Sequence, residues 1–232
     1  MKSRSQAVWL FDLDNTLHNA SHHAFKALNV SMSDYIVEHL GLARAEADAL
    51  RARYWHRYGA TLLGLTRHHG VDVHHFLAET HRLPGLEDSL HGHAHDLAAL
   101  RRLPGRKFVL TNAPLAYALR VLGQLGLLHV FEAVIGFEQM RMFGQHRPKP
   151  DARMLRWLVA QLKVSPGRCV LVEDTLMHQK SARAVGMRTI WVRRWVRQAS
   201  RSAGVDARLG RRPAYVDRRV HGLAELLRRP LA

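Results

Sequence analysis

Residues 8–17 read Val8-Trp9-Leu10-Phe11-Asp12-Leu13-Asp14-Asn15-Thr16-Leu17. A short apolar run, of the length expected for a buried strand, stops at two carboxylates two residues apart, and the turn-forming Asn15 follows. Side chains alternate along extended backbone, so Asp12 and Asp14 can face the same way if the extension persists past the strand. Two such acids repel each other unless they share a cation. The stretch is therefore a candidate site for a metal and a phosphate.

The composition of the chain fits a folded globular protein with a basic surface. Its 232 residues are enough for one large domain or for a domain with an insert, and 47% of them are hydrophobic. Lys and Arg number 35 against 19 Asp and Glu, which gives a formal net charge of +16. Such a field favours anionic partners, from phosphate esters to nucleic acid or an anionic membrane.

Cysteine usage and the N-terminus predict the compartment. Cys169 is the single cysteine, so no internal disulfide can form, and a reducing compartment is indicated. The apolar run ahead of Asp12 has only about five residues, which is far too short for a signal sequence or a membrane span. We expect a soluble cytoplasmic protein.

The apolar pattern changes after the first strand. From Ser21 to about Arg82, apolar residues recur at three- and four-residue spacing, which indicates a helical block without strands. Pro84-Gly85 then marks a turn. We predict two domains: a core formed by residues 1–20 and 84–232, and a helical cap formed by residues 21–83.

Strands and helices alternate in the rest of the chain. Further apolar runs at 108–110, 133–137, 169–172 and 189–192 are separated by helical patterns, with a possible edge strand at 214–216 and a last helix at 221–229. This order predicts an α/β fold, a three-layer sandwich with a mostly parallel, Rossmann-like sheet. The runs are apolar throughout, as burial on both faces of the sheet requires.

Polar residues follow the predicted strands at their carboxyl ends. In open α/β sheets, ligands bind at that edge. Four separate segments therefore converge on one place, and they supply Asp12 and Asp14, Thr111 and Asn112, Lys149, and Glu173 and Asp174.

Together these segments resemble the haloacid dehalogenase-like phosphatases. That family shows a DxDxT loop, a Thr or Ser after the second strand, a Lys, and an acidic pair after a later strand, and the chain has all four in order over residues 7–193. The resemblance implies that Asp12 is the nucleophile, which forms an aspartyl-phosphate, and that Asp14 acts as general acid and base. It also implies Mg²⁺ as cofactor, bound by Asp12, the main-chain carbonyl of Asp14 and Asp174.

The resemblance assigns the remaining site residues to supporting parts. Thr111 would offer its hydroxyl and Asn112 its backbone N–H to phosphate oxygens. Lys149 would lower the repulsion between the nucleophile and the phosphate, which makes it both catalytic and phosphate-binding. Thr16 and Glu173 would contact these groups and hold them in position without binding the metal.

Within the helical block, a stretch of the form Tyr-Gly-x-Thr-Leu-x-Gly-Leu runs from Tyr58 to Leu65. It is similar to a stretch of the pyrimidine 5′-nucleotidase branch, as is the Asp-Asn-Thr-Leu sequence of the first loop. This implies hydrolysis of a nucleoside monophosphate such as UMP or CMP, with Tyr58 and Thr61 as candidate substrate contacts. Such a stripe on a helix equally fits packing against its neighbours. The chain departs from the branch at His18, where Tyr is common, and at His178, where Asn is frequent.

Other readings of the same residues stay open. Without its context, the first loop could be a plain turn, and Glu173-Asp174 could be acids that favour a helix N-terminus. Other activities compatible with the fold are a phosphatase for phosphoglycolate or a sugar phosphate, phosphoglucomutase-like transfer, and dehalogenation, although a dehalogenase does not need Asp14.

Two features of the composition suggest other ligands. The alternating histidines His91, His93 and His95 could bind Zn²⁺ if their backbone were extended, but no cysteine or HExxH pattern accompanies them, and solvent-facing histidines are the simpler interpretation. Eleven arginines between Arg193 and Arg229 raise the alternative of a basic RNA-binding protein with a vestigial site. No sequence signature of a known RNA-binding module supports it.

Overall fold

A computed structural model describes residues 7–21, 23–195 and 211–228. The chain divides into two compact units, one formed by Met1–Ser21 with Leu90–Ala232 and the other by His22–Ser89. The sequence predicts a helical cap over residues 21–83, whereas the second unit runs from His22 to Ser89. No helix among the described residues is long and apolar enough to cross a membrane.

The first unit contains a six-stranded parallel sheet. Its strands are β1 (Val8–Phe11), β2 (Arg106–Leu110), β3 (Ala133–Ile135), β6 (Cys169–Glu173), β7 (Arg188–Val192) and β8 (Arg218–Val220), in the order β3-β2-β1-β6-β7-β8. The predicted parallel α/β architecture is confirmed. Between β3 and β6 the chain also forms a small antiparallel hairpin of β4 (Arg141–Met142) and β5 (Gln145–His146).

Helices connect the strands and flank the sheet. They are α6 (Ala94–Arg102), α7 (Leu115–Gln124), α8 (Ala152–Gln161) and α9 (Leu176–Ala184), with short 3₁₀ helices at Leu128–Val130, Phe137–Gln139, Pro166–Arg168 and Leu223–Leu227. β1 is entirely buried and pairs with β2 on one side and β6 on the other. The main core cluster includes Leu10, Leu110, Leu155 and Leu171. The loops after β1, β2 and β6 therefore meet at the middle of one sheet edge.

The C-terminal end of the sheet differs from the sequence-based prediction. Residues 214–216 form a turn in which Val216 N donates to Pro213 O at 3.0 Å, and the edge strand begins at Arg218. The anchor of this segment is Asp217, whose Oδ2 accepts from Thr189 N at 2.9 Å. The apolar pattern of 214–216 could not reveal that polar anchor. The predicted last helix is the short 3₁₀ helix Leu223–Leu227.

The second unit is helical, as predicted for residues 21–82. Its helices are α1 (Ala24–Leu40), α2 (Arg44–Tyr58), α3 (Thr61–His69), α4 (Val73–Thr80) and α5 (Leu86–Ser89), and no strand occurs among the described residues of this unit. α1 and α2 end at Gly41 and Gly59, whose φ angles of 66° and 78° lie in the left-handed region. Two tight turns thus pack consecutive helices against each other.

Candidate active site

The loop after β1 holds two carboxylates at the edge of the sheet. Asp12 N still donates to Val172 O at 2.9 Å, so strand pairing extends to the first acid. The chain then turns, because Leu17 N donates to Leu13 O at 2.9 Å and Asn15 adopts a left-handed φ of 58°. Asn tolerates that conformation better than most residues do. Its side chain also closes the loop by accepting from Ser21 N at 2.9 Å and donating to Ser21 Oγ at 2.7 Å.

Both oxygens of Asp12 accept hydrogen bonds from buried side chains. Lys149 Nζ donates to Oδ1 at 2.8 Å, and Thr16 Oγ1 donates to Oδ2 at 2.8 Å. Only 6% of Asp12 is exposed. Burial, assisted by the charge of Glu173, raises the pKa of Asp12 to about 6, although Lys149 opposes the shift. A divalent cation would favour the ionised form.

Lys149 is a buried cation between two acids. Its Nζ donates to Glu173 Oε2 at 2.7 Å as well as to Asp12, and only 1% of the residue is exposed. Burial lowers the pKa of Lys149, but the two carboxylates outweigh burial and raise it, so the amine stays charged. An isolated buried charge would be costly, and pairing with two acids removes that cost.

Asn112 clamps the backbone of Lys149. Its Nδ2 donates to Lys149 O and its Oδ1 accepts from Lys149 N, both at 2.9 Å. Beside it, Thr111 is buried, and its Oγ1 accepts from Ala113 N at 3.1 Å. The side chain of Asn112 thus positions the lysine loop, which is a contact that the sequence did not reveal.

The acidic pair after β6 completes the cluster. Carboxylate oxygens of Asp12, Glu173 and Asp174 lie within 4.8 Å of one another. Burial and the neighbouring acids Glu173 and Asp12 raise the pKa of Asp174. Burial also acts to raise the pKa of Glu173, but Lys149 and His178 lower it overall. His178 Nδ1 lies 3.0 Å from Glu173 Oε2.

Asp14 makes contacts that the sequence did not predict. Tyr117 OH donates to its Oδ1 at 2.8 Å, and His18 Nε2 lies 2.9 Å from the same oxygen. Tyr117 belongs to α7, and its position in an amphipathic helix carried no signal of a polar role. In the sequence, His18 stands out only as a departure from the nucleotidase branch.

The candidate substrate contacts Tyr58 and Thr61 have partners within the helical unit. Tyr58 OH lies 2.5 Å from His68 Nε2, and Thr61 Oγ1 donates to Arg51 O at 3.1 Å. A Cβ on Gly64 would stand 2.3 Å from the ring of Tyr54. Packing of α2 against α3 therefore accounts for much of this stretch.

Two other candidate ligand groups are the alternating histidines and the arginines of the C-terminal segment. The rings of His93 and His95 contact each other. In the described ranges, however, the side chains that lie close enough together to hold one metal ion are those of Asp12, Glu173 and Asp174. Several basic-tail arginines bind within the fold: Arg194 pairs with Asp96, and Arg218 donates to Glu225 O. The tail arginines outside the described residues are Arg197, Arg201, Arg208 and Arg229.

A family model described as haloacid dehalogenase-like hydrolase matches residues 7–186. The chain belongs to this family. Solved structures with similar folds include a HAD phosphatase from Thermococcus onnurineus, with a TM-score of 0.60, 22% identity and 96% of each chain covered. Another is CbbY from Rhodobacter sphaeroides in complex with phosphate, with a TM-score of 0.63 and 20% identity over 95% of this chain and 96% of that chain. At these identities, the likeness supports the fold alone.

Curated relatives of this haloacid dehalogenase-like hydrolase include phosphatases. The fructose-1-phosphate phosphatase YqaB of Escherichia coli is 35% identical over 36% of this chain, and the match spans only 42% of that protein. The phosphoglycolate phosphatase of Colwellia psychrerythraea is 25% identical over 82% of this chain and 85% of its own length.

The acidic cluster fits the Mg²⁺ that the family implies. Its donors are carboxylate oxygens, which are the hard ligands that Mg²⁺ prefers. Burial, and after it the charges of the neighbouring acids, raises the pKa values of Asp12 and Asp174. A divalent cation bound to their oxygens would oppose both effects by favouring the ionised forms.

Proposed function

We propose that the protein is a Mg²⁺-dependent phosphomonoesterase that acts through an aspartyl-phosphate on Asp12. The observation that carries the proposal is the arrangement of Asp12, whose two oxygens are held by Lys149 and Thr16 beside the acidic cluster. An oriented carboxylate next to a fixed cation is suited to attack a phosphorus atom and to tolerate the negative charge of the phosphate.

The reaction has two steps. An oxygen of Asp12 attacks phosphorus, the bond from phosphorus to the alcohol oxygen breaks, and the departing oxygen takes a proton from Asp14. A water then attacks phosphorus and gives a proton to Asp14, while the bond to Asp12 breaks and phosphate leaves. Asp14 thus returns to its starting protonation state.

Other residues stabilise these steps. The Mg²⁺ site would consist of Asp12, Asp174 and the main-chain carbonyl of Asp14, and the ion would neutralise charge on the phosphate oxygens. Thr111 and the backbone of Asn112 would donate to phosphate. Glu173 keeps Lys149 charged and fixed, while Thr16 orients Asp12.

For the substrate, we propose a small phosphate ester, with a nucleoside monophosphate such as UMP or CMP as the first candidate. The choice of a nucleoside monophosphate rests on the stretch from Tyr58 to Leu65. Packing within the helical unit is the alternative explanation for the same stretch. The second candidate is a phosphorylated sugar or hydroxy acid, favoured by the names of the two relatives. We propose that the helical unit acts as the cap and selects among them.

A substrate panel tests the proposal. Release of inorganic phosphate from UMP, CMP, AMP, phosphoglycolate, fructose 1-phosphate and an aryl phosphate would be measured with Mg²⁺ and with EDTA. We expect Mg²⁺-dependent turnover of at least one ester, and the ranking of kcat/KM identifies the substrate class. No turnover of any ester with Mg²⁺ would refute the proposed function.

A further inference from the structure

Among residues 7–21, 23–195 and 211–228, the donors to the Asp14 carboxylate bind a single oxygen. Both of its donors, Tyr117 OH and His18 Nε2, bind Oδ1, at 2.8 and 2.9 Å. Among the described residues, Oδ2 accepts no comparable bond. The side chain of Asp14 is 18% exposed, whereas that of His18 is completely buried. Within the described part of the chain, the carboxylate therefore has one oxygen fixed by two donors and one oxygen without a donor.

The direction of both bonds follows from the chemistry of the partners. A carboxylate can only accept, so His18 donates through a proton on Nε2. For the same reason the phenol of Tyr117 is the donor in its bond to Asp14 Oδ1. The Nδ1 of His18 is buried without a hydrogen-bond partner among the described residues.

Two donors at Oδ1 decide where Asp14 can carry a proton. The lone pairs of Oδ1 already accept one N–H and one O–H hydrogen bond, so a proton on Oδ1 would be close to both donor hydrogens. A proton on Oδ2 would meet neither of these two donors. We propose that His18 and Tyr117 are positioning residues that reserve Oδ2 of Asp14 for the proton transferred to the leaving alcohol. This inference rests on the proposed phosphatase function and adds two residues to it.

The local fold keeps the arrangement rigid. Asp14 and His18 form an isolated backbone bridge across the loop, so the side chains are brought together by the turn itself. Tyr117 is 3% exposed and approaches from α7, a different element of the same unit. Donors from two independent elements prevent the carboxylate from rotating, which a single hydrogen bond would not do.

The test uses the leaving group. An alkoxide is a strong base and needs a proton as it leaves, whereas 2,4-dinitrophenolate leaves readily without one. Because kcat/KM covers the steps up to departure of the leaving group, a defect in proton donation lowers it for an alkyl phosphate only. The probes are the best alkyl ester of the panel and 2,4-dinitrophenyl phosphate.

The expected pattern distinguishes positioning from folding defects. Tyr117→Phe and His18→Leu should each lower kcat/KM for the alkyl ester by about 10- to 100-fold and change that for the aryl ester by less than about threefold. His18→Gln should retain most activity, because its amide can donate from nearly the same place. Tyr35→Phe is the matched control: it removes another buried tyrosine hydroxyl, which lies 2.9 Å from His75, and should change neither rate.

Equal losses on both esters, or no loss on either, would overturn the inference while leaving the phosphatase function intact. If His18→Leu does not fold, Tyr117→Phe and His18→Gln still decide the question. Absence of turnover of both esters by the wild-type protein would instead refute the proposed function and this inference with it.

Discussion

Asp12 differs from an ordinary surface acid because both of its carboxylate oxygens accept hydrogen bonds from buried side chains. We expect Asp12→Asn to reduce turnover by on the order of 10³-fold or more, since an amide cannot form the acyl-phosphate link. Turnover and thermal unfolding of the variant would be measured together. Glu132→Gln is the control: its exposed pair with Arg106 contributes little to stability, and activity should be unchanged. Near-normal activity of Asp12→Asn would refute the nucleophile assignment.

Lys149 is the residue whose loss should cost most stability. Lys149→Met leaves Asp12 and Glu173 buried without a counter-charge, so we expect the free energy of unfolding to fall by about 3–5 kcal/mol at pH 7.5. At pH 5 the loss should be smaller, because acids without the lysine have raised pKa values and take up protons in the folded state.

Urea denaturation at both pH values measures this difference. The exposed Lys26 provides the control, and Lys26→Met should change the free energy of unfolding by less than about 0.5 kcal/mol at either pH. An equal loss for Lys149→Met at pH 5 and pH 7.5 would show that its charge does not stabilise the acids.

The sequence revealed some parts of the site and missed others, for physical reasons. Asp12, Lys149, Glu173 and Asp174 converge because acids and a lysine at strand ends face the same sheet edge. The contact of Tyr117 with Asp14 could not be foreseen, since it spans 103 residues and depends on the rotation of α7. The same holds for the clamp of Asn112 on Lys149.

At the scale of elements, α2 and α3 approach closely through one glycine. A Cβ on Gly64 would overlap the ring of Tyr54, so Gly64→Ala should destabilise the protein by about 1–3 kcal/mol. Gly123 in α7 is the matched position: the nearest atom to its Cβ would be 3.8 Å away, and Gly123→Ala should stabilise by about 0.5–1 kcal/mol. Chemical denaturation measures both, and equal signs would contradict the packing argument.

Element types were more predictable than element ends. Uninterrupted apolar runs such as Cys169–Val172 specify strands, because a parallel sheet buries both faces of its strands. The apolar pattern predicts the start of the edge strand four residues early, because the anchor of β8 is the polar contact of Asp217 with Thr189. Hydrophobic pattern does not encode such a contact.

At the scale of the whole molecule, stability should depend jointly on pH and Mg²⁺. The pKa of Asp12 is raised from 3.8 to about 6, so the folded protein holds a proton that the unfolded chain has lost, and stability without metal declines as pH rises through this interval. Asp174 acts in the same direction. Mg²⁺, the proposed cofactor, should bind the ionised acids and reverse the decline.

We therefore expect Mg²⁺ to raise the Tm by several degrees at pH 7.5 and by much less at pH 5. The variant Asp174→Asn should lose most of the Mg²⁺-induced shift, while its own Tm without metal at pH 7.5 should exceed that of the wild type, because one repelling charge is gone. Thermal scans with Mg²⁺ or EDTA measure all of these values. A shift that is equal at the two pH values would contradict binding to the raised-pKa acids.

The outermost strand also constrains how the arginine-rich tail can be studied. β8 pairs with β7, and Arg193 N donates to Val220 O at 3.1 Å. Cutting the chain before residue 211 would expose the unpaired backbone of β7, and such bare edges promote aggregation. Precipitation of a truncated protein, or its failure to bind RNA, would then reflect the exposed edge of β7 and not the loss of the arginines. The cleaner experiment replaces Arg197, Arg201 and Arg208 with uncharged residues and leaves the rest of the chain intact.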